Sequence, residues 1–199
     1  MILDTLVIAT GNRHKVNEIS QILSGLSISL KTLKDFPLVG EIKEDAPDFK
    51  GNALIKAHTV MKHTGLPSLA DDSGLEVDAL DGAPGVLSAR FSGGNDADNN
   101  ALLLQKLQGL TPEKRTARFR CVIALTIPGE PPVFAEGKID GRIIEKESGA
   151  NGFGYDPLFV PDGYNKTFAE IESAEKNKIS HRGRALHMLS RLLTEKLCC

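Results

Sequence analysis

Hydrophobic positions at the start of the chain change from a short run to a helical spacing. The run at residues 6–10 predicts a strand, which stops at Gly11. Val16, Ile19 and Leu23 then recur at the spacing of one helix face. The chain is therefore predicted to begin with a strand, a tight loop and a helix.

Further along the chain, strands and helices are both predicted. The strands are predicted at residues 28–33, 68–70, 75–79, 119–125, 133–139 and 158–160. One helix follows the acidic, proline-containing loop at residues 41–48, and another is capped by Asp96 or Asp98. This mixture predicts an α/β protein with a mixed sheet and a single domain over residues 1–199.

The last helix has the clearest periodicity. Ser180 is its predicted N-cap, and one face carries Ala185, Met188, Leu189 and Leu192. Such a pattern is typical of a helix that lies on the surface of a globular protein.

Composition and charge bear on the partners of the protein. The 24 Lys and Arg residues nearly balance the 26 Asp and Glu residues, for a net charge of −2. Such a protein lacks the basic surface that binds a nucleic-acid polymer. No apolar run approaches the ~20 residues of a membrane-spanning helix, and the start of the chain lacks the features of a signal peptide. We therefore expect a cytoplasmic protein that binds neither a nucleic-acid polymer nor a membrane.

The three cysteines do not form a metal or disulfide motif. Cys121 lies in an apolar run and is expected to be buried. Cys198 and Cys199 are expected to form a frayed tail with exposed thiols.

Four segments carry side chains suited to chemistry, and the first is the loop before the first helix. It contains Thr10, Gly11, Asn12, Arg13, His14 and Lys15. Backbone N–H groups at a helix N-terminus, a glycine that permits close approach and a nearby lysine form a recurring cradle for phosphate. The alternative is a tight turn followed by solvated basic residues.

The second segment is Asp71-Asp72-Ser73-Gly74, which follows an apolar run. Adjacent carboxylates are poorly suited to a core, because burying unpaired charge is costly. Their hard oxygens suit Mg²⁺, which takes one or two protein carboxylates together with substrate phosphates. The alternative is an Asx-turn at the end of a strand.

The third segment contains Gly152, Phe153, Gly154, Tyr155 and Asp156. In an extended chain Phe153 and Tyr155 would face the same way. Exposed rings followed by a carboxylate can stack on a flat base and accept hydrogen bonds from its ring N–H groups. The alternative is a core aromatic residue beside a turn.

The fourth segment is a basic run at the predicted start of the last helix, with Lys176, Lys178, His181 and Arg182. Cations there face the positive end of the helix dipole, so they stabilise the helix poorly and suit an anionic or carbonyl-bearing ligand. The alternative is a solvated, basic helix start.

Taken together, the four segments are far more specific than any one of them. ATGNRHK at residues 9–15, LADDSGLEVDALDGAPGVLSARFSG at 69–93, GFGYDPLF at 152–159 and AEKNKISHRGRAL at 174–186 occur in this order. They closely resemble the non-canonical purine NTP pyrophosphatase family, also called the inosine triphosphate pyrophosphatase family. The resemblance covers nearly the whole chain.

The resemblance implies an activity and a fold. The activity is the Mg²⁺-dependent hydrolysis of ITP, dITP and XTP to the monophosphate and pyrophosphate, which removes deaminated purines from the nucleotide pool. The fold is an elongated mixed β-sheet with flanking helices, in two lobes with the active-site cleft between them. The protein is expected to form a homodimer.

The resemblance also implies roles for individual residues. Thr10 to Lys15 would bind the triphosphate, Asp72 would be the general base and a metal ligand, and Ser73 would bind substrate. The base pocket would be lined by Phe153, Gly154, Tyr155, Asp156, Lys176, His181 and Arg182. In the acidic loop Glu44 is the best match to a second metal ligand, and Glu41 is the alternative.

The residue types fit this reaction. Water attack on the α-phosphorus needs a group that positions the water and cations that neutralise the phosphate oxygens. Donors such as Lys176, His181 or Arg182 would favour hypoxanthine and xanthine, whose 6-oxo group replaces the amine of adenine. One alternative is a broad or pyrimidine-directed nucleotide pyrophosphatase. Another is a nucleotide sensor without turnover, which would have no need of paired aspartates.

Overall fold

The structure, a computed structural model, describes residues 3–197. Its strands are β1 (Thr5–Ile8), β2 (Ser29–Thr32), β3 (Ser68–Val77), β4 (Thr116–Thr126), β5 (Val133–Ile143) and β6 (Phe159–Pro161). Its helices are α1 (Arg13–Leu23), α2 (Phe49–Thr64), α3 (Asp96–Lys106), α4 (Ser173–Ile179) and α5 (His181–Leu197). The strand order is β2-β1-β3-β4-β5-β6, with β1 parallel to β2 and β3, and β5 antiparallel to β6. The predicted α/β class with a mixed sheet is confirmed.

The described chain divides into two compact units. Unit 1 contains residues 3–72, 121–137 and 182–197, and unit 2 contains residues 73–120 and 138–181. Strands β3, β4 and β5 each contribute residues to both units. Each unit is therefore assembled from segments that lie far apart in the sequence.

In unit 1 the strand β1 is apolar on both faces, so helices pack on each side of it. Leu6 and Ile8 belong to one buried cluster with side chains of α1 and α5. Val7 and Ala9 point the other way and belong to a second cluster with α2, which contributes small side chains such as Ala53. A strand that is apolar at successive positions is typical of a parallel sheet covered on both faces.

The core of unit 2 is built around aromatic rings. The ring centroids of Phe119, Phe159 and Phe168 lie 4.8 to 5.9 Å from one another. Helix α3 adds Leu103 to this cluster, and the residue after the helix, Leu107, is also buried there. The helix that was predicted to begin near Asp96 or Asp98 therefore packs on this core through Leu103.

Two short strands were predicted at residues 68–70 and 75–79, but the structure has the single strand β3 there. It runs without interruption through Asp71 and Asp72, which are both buried. The prediction of a break was wrong because each carboxylate is paired with cations, so the chain does not need to leave the sheet to expose them.

The helix starts also differ from the prediction. Helix α3 is capped by Asn95, whose Oδ1 accepts from the N–H of Asp98, while the N–H of Asn95 donates to the Asp98 carboxylate. Ser180 directly precedes α5, but it also ends the separate short helix α4. Lys176 and Lys178 therefore lie in the last turn of α4, where the helix dipole favours cations. Neither lysine lies at a helix N-terminus, so this prediction was wrong.

The buried face of α5 includes Ala185 and Leu189, as its periodicity indicates, whereas Met188 is 50% exposed. Cys121 is buried, as expected. The prediction for Cys198 and Cys199 lies outside the described residues. Within residues 3–197, every helix is too short or too polar to cross a membrane.

Candidate active site

The loop between β1 and α1 places the first candidate segment at a helix start in unit 1. Asn12 caps α1, since its Oδ1 accepts hydrogen bonds from the N–H groups of His14 and Lys15 at 2.9 and 3.3 Å. The N–H of Asn12 donates to Thr10 Oγ1 at 3.2 Å. Residues 11–14 are exposed. The predicted strand, loop and helix are confirmed, and two of the helix-start amides are engaged by the Asn12 side chain.

Gly11 lies in this loop in open surroundings. A Cβ atom placed on it would meet nothing within 4 Å, and its φ lies outside the left-handed region. Neither packing nor backbone geometry therefore requires a glycine here. A glycine also permits the close approach of a ligand to the backbone.

Asp71 is a wholly buried carboxylate, with 0% of its side chain exposed. Its Oδ2 accepts from Lys15 Nζ at 3.1 Å and from Arg182 Nε at 3.0 Å. Arg182 is also buried, and its Nη1 donates to Glu18 Oε2. A row of alternating charges thus joins α1, β3 and α5 within unit 1.

The neighbouring cations determine the charge of Asp71. Burial alone would raise its pKa, but Lys15 and Arg182 outweigh burial and hold the pKa well below its usual range. Burial would lower the pKa of Arg182, but Asp71 and Glu18 outweigh it and raise that pKa. Asp71 and Arg182 therefore stay ionised.

Asp72 points towards α2 instead. Its Oδ1 accepts from Lys56 Nζ at 3.1 Å, and its Oδ2 accepts from Asn52 Nδ2 at 3.3 Å. Lys56 Nζ also donates to Glu44 Oε2 at 2.5 Å. A single ammonium group thus lies between Glu44 and Asp72, the two carboxylates that were predicted as metal ligands.

The pKa values of this second group are also shifted. Burial raises the pKa of Asp72 and Glu44 adds to the increase, which the attraction of Lys56 and Lys15 does not cancel. Burial would lower the pKa of Lys56, but Asp72, Asp71 and Glu44 outweigh it and raise that pKa. The adjacent aspartates therefore differ, because the pKa of Asp71 is depressed and that of Asp72 is raised.

The acidic loop at residues 41–48 is fixed to α2. The N–H of Ala46 donates to Asn52 Oδ1 at 2.9 Å. Glu44 then reaches the ammonium that it shares with Asp72, whereas Glu41 is exposed. This arrangement favours Glu44 over Glu41 as the second acidic ligand.

Three residues of this site, Glu18, Asn52 and Lys56, were not predicted. Asn52 and Lys56 are four residues apart on the buried face of α2, among apolar side chains. Polar residues at buried helical positions are a signal that the sequence does contain. Glu18 offers no local signal, because its partner Arg182 lies 164 residues away.

In unit 2, residues 152–156 form a turn and not an extended strand. Both glycines of this turn have positive φ, 77° and 61°. Phe153 is half-buried, but Tyr155 is buried in the core and its OH donates to the Ser88 carbonyl at 2.9 Å. The expectation that both rings are exposed on one side is wrong, because side chains in a turn do not follow the alternation of a strand.

The remaining residues of the predicted base pocket in unit 2 are largely buried. Asp156 Oδ2 accepts from Lys176 Nζ at 2.6 Å and from the N–H of Phe153 at 3.0 Å. Lys176 Nζ also lies 5.2 Å from the centroid of the Phe153 ring, a cation–π contact. The His181 ring stacks on Phe119 with centroids 4.7 Å apart. The structure thus brings Phe153, Asp156 and Lys176 together.

Two predicted site residues lie elsewhere. Ser73 is half-buried in β3, at the first position of unit 2. Arg182 belongs to unit 1, where its Nε and Nη1 donate to carboxylates. A contact between Arg182 and the nucleotide base stays a prediction.

Comparison with known proteins identifies the fold and the family of this chain. The solved structure of a HAM1 protein from Coxiella burnetii matches with a TM-score of 0.88 and 41% identity, over 96% of this chain and 99% of that one. The chain therefore has the α/β fold of a HAM1 protein. A family model described as the Ham1 family also matches residues 6–192. The protein belongs to the Ham1 family.

Two curated relatives carry the name dITP/XTP pyrophosphatase. The one from Geobacter sulfurreducens is 52% identical over 186 residues, which cover 92% of this chain and 94% of the relative. The one from Listeria monocytogenes is 47% identical over 195 residues, which cover 97% and 96%. Both matches extend over nearly the full length of each protein.

Replacement of Arg182 by Met is expected to destabilise the protein strongly. It leaves Asp71 and Glu18 without the guanidinium, and removing one partner of a buried ion pair costs about 3–5 kcal/mol of unfolding free energy. Urea unfolding measures the change. Arg184, which is exposed on the same helix, provides the control, and Arg184→Met should cost less than about 0.5 kcal/mol. Equal stability of the two variants would contradict a central role for the Asp71–Arg182 pair.

Proposed function

We propose that the protein hydrolyses the non-canonical purine nucleoside triphosphates dITP, XTP and ITP to the monophosphate and pyrophosphate, with Mg²⁺ as its cofactor. The observation that carries this proposal is the placement of Glu44 and Asp72 around a single ammonium group. The curated name of relatives with 47% and 52% identity supports the substrate class. We further propose that residues 1–199 act as one domain, and that the enzyme is a cytoplasmic homodimer.

The chemistry of Glu44 and Asp72 fits a divalent cation. Lys56 Nζ lies 2.5 Å from an oxygen of Glu44 and 3.1 Å from an oxygen of Asp72. The two carboxylates are therefore close enough for one cation to contact both. Such a pair suits Mg²⁺, which is held by one or two carboxylates and completes its coordination with substrate phosphates and water. When bound, Mg²⁺ would neutralise charge on the phosphate oxygens and favour ionisation of a water molecule.

Asp72 is the proposed general base. An ionised carboxylate has about four acceptor sites. Asp72 can therefore accept a hydrogen bond from a water molecule in addition to those from Lys56 and Asn52. It takes a proton from the water whose oxygen forms a bond to the α-phosphorus. The bond between the α-phosphorus and the bridging oxygen breaks, and pyrophosphate leaves. Asn52 and Lys56 hold the carboxylate in one orientation, which is the contribution expected of positioned catalytic groups.

Unit 1 supplies the proposed triphosphate site. Lys15 and Lys56 are cations that can neutralise phosphate oxygens. The exposed part of the site is the loop with Gly11, Asn12, Arg13 and His14, which follows the half-buried Thr10. Asp71 does not act on substrate in this scheme, because it is enclosed by Lys15 and Arg182 and holds both cations in place.

Unit 2 supplies the proposed base-binding residues. Phe153 presents the half-buried ring of the turn, and Lys176 is a donor whose ammonium lies near that ring. Hypoxanthine and xanthine offer a 6-oxo acceptor to such a donor, whereas adenine would place an amine against it. Tyr155 supports the turn from the core, and contacts of Ser73, Gly154, Asp156, His181 and Arg182 with the nucleotide remain predictions.

Isotope labelling tests the proposed reaction. Hydrolysis of dITP in ¹⁸O-water should place the label in the monophosphate, because water attacks the α-phosphorus. Label found only in orthophosphate would refute it. A panel of nucleotides compared by kcat/KM tests the substrate class, and dITP, XTP and ITP should exceed ATP, GTP and the pyrimidine nucleotides. Equal values across the panel would favour a broad pyrophosphatase.

Asp72→Asn should lower kcat by about 100-fold or more, because the amide has the same shape but does not accept the proton of the attacking water. At saturating Mg²⁺, which compensates for the loss of one charged metal ligand, KM should change little because the amide is nearly isosteric. Steady-state kinetics with dITP provide both values. Asp45→Asn is the matched control, since Asp45 is exposed in the acidic loop and pairs with the exposed Lys43. A normal kcat in Asp72→Asn would remove Asp72 from the role of general base.

Gly11→Ala should raise KM for dITP by about tenfold, a loss of about 1.4 kcal/mol of binding, because the methyl group occupies space that the triphosphate needs. The free energy of unfolding should not fall, as a Cβ atom there meets nothing within 4 Å. Gly25→Ala is the control, since Gly25 has equally open surroundings in the same unit. The two variants would have the same KM if Gly11 does not approach substrate.

A further inference from the structure

Helix α3 holds both peptide groups of Gly154. The N–H of Gly154 donates to Asp96 Oδ2 at 2.7 Å, and its carbonyl accepts from Asn100 Nδ2 at 3.2 Å. Asp96 and Asn100 are one helical turn apart, and all three residues belong to unit 2. Residues 152–156 have no regular secondary structure, so side chains of α3 provide bonds that a helix or sheet would otherwise supply.

Asn100 uses one amide group for two bonds. It is buried, and its Nδ2 also donates to Glu147 Oε1 at 2.9 Å. An aspartate has the same shape, but it would present an oxygen to the Gly154 carbonyl and the Glu147 carboxylate, which are both acceptors. Among the residues that the structure describes, Asn100 Oδ1 has no hydrogen-bond donor. Residue 100 therefore requires an NH₂ group that can donate to both acceptors.

These bonds determine where Phe153 lies. Its own N–H donates to Asp156 Oδ2 at 3.0 Å, and the next residue, Gly154, is held by α3. Gly152 and Gly154 both have positive φ, and glycine backbone is otherwise free to adopt many conformations. The Phe153 ring is thus carried on a segment that is fixed at its own amide and at the following residue.

We propose that Asn100 and Asp96 are positioning residues for recognition of the nucleotide base. They hold Gly154 and thereby place the Phe153 ring, while neither side chain touches the substrate. This inference rests on the proposed function, in which Phe153 contacts the base. It adds two residues of α3 to the determinants of specificity and assigns them no part in binding the triphosphate.

The test separates binding of the base from binding of phosphate. Asn100→Asp and Asp96→Ala should each raise KM for dITP by about tenfold, the upper range for the loss of one or two hydrogen bonds, with kcat changed by less than about twofold. The Ki of inorganic tripolyphosphate as a competitive inhibitor should stay unchanged, because it has no base. Asp96 is exposed, so Asp96→Ala tests the inference even where Asn100→Asp fails to fold.

Two neighbours on α3 provide matched controls. Asn99 is buried like Asn100, but its Oδ1 accepts from the N–H and the hydroxyl of Ser92. Asp98 is exposed like Asp96, but its carboxylate caps the helix at Asn95. Asn99→Asp and Asp98→Ala should therefore leave KM for dITP unchanged, although they make the same chemical changes in the same helix.

Several outcomes would overturn the inference. They are an unchanged KM in both test variants, an equal rise in the Ki of tripolyphosphate, or an equal rise of KM in the control variants. Phe153→Ala distinguishes this failure from failure of the proposed base site. An unchanged KM in Phe153→Ala would refute the base site and the inference together. A raised KM there, with normal values in Asn100→Asp and Asp96→Ala, would refute the inference alone.

Discussion

A carboxylate that is shut off from water must be paired with positive charge, and Asp71 imposes this requirement on unit 1. Lys15 from α1 and Arg182 from α5 both reach its Oδ2. Because an uncompensated buried charge is strongly destabilising, these two helices must meet β3 at one position. The same helices contribute to the apolar cluster on one face of β1. Packing and charge pairing therefore select the same arrangement of helices and strands.

The pleat of β3 explains how two adjacent aspartates have different partners. Successive side chains of a strand point to opposite faces of the sheet, so Asp71 meets α1 and α5 while Asp72 meets α2. The first is held as a permanent anion between two cations. The second shares Lys56 with Glu44 and retains acceptor sites for other partners. The alternation of the strand thus places an anion that is paired with two cations next to a carboxylate that shares one cation with Glu44.

Much of this arrangement follows from local sequence pattern, and the rest depends on distant partners. Residues 6–10 and the spacing of Val16 and Ile19 were enough to predict β1 and α1, because burial on one or both faces leaves a periodic trace. The continuity of β3 could not be predicted, since Arg182, one of the two cations that pair with the buried Asp71, is 111 residues away in the sequence. The burial of Tyr155 was missed because it depends on two positive-φ glycines that turn the chain.

The distance between Arg182 and its partners has a consequence for the order of folding. During synthesis the residues of α1 and β3 emerge from the ribosome long before those of α5, and a compact unit generally folds as a whole. Until residue 182 is available, Asp71 has Lys15 but not the guanidinium, and α1 and α5 cannot complete their shared cluster. Helix α5 is therefore the last element that unit 1 needs to complete its core and its charge pairing. A nascent chain that stops short of residue 182 leaves the buried Asp71 without one of its two cations.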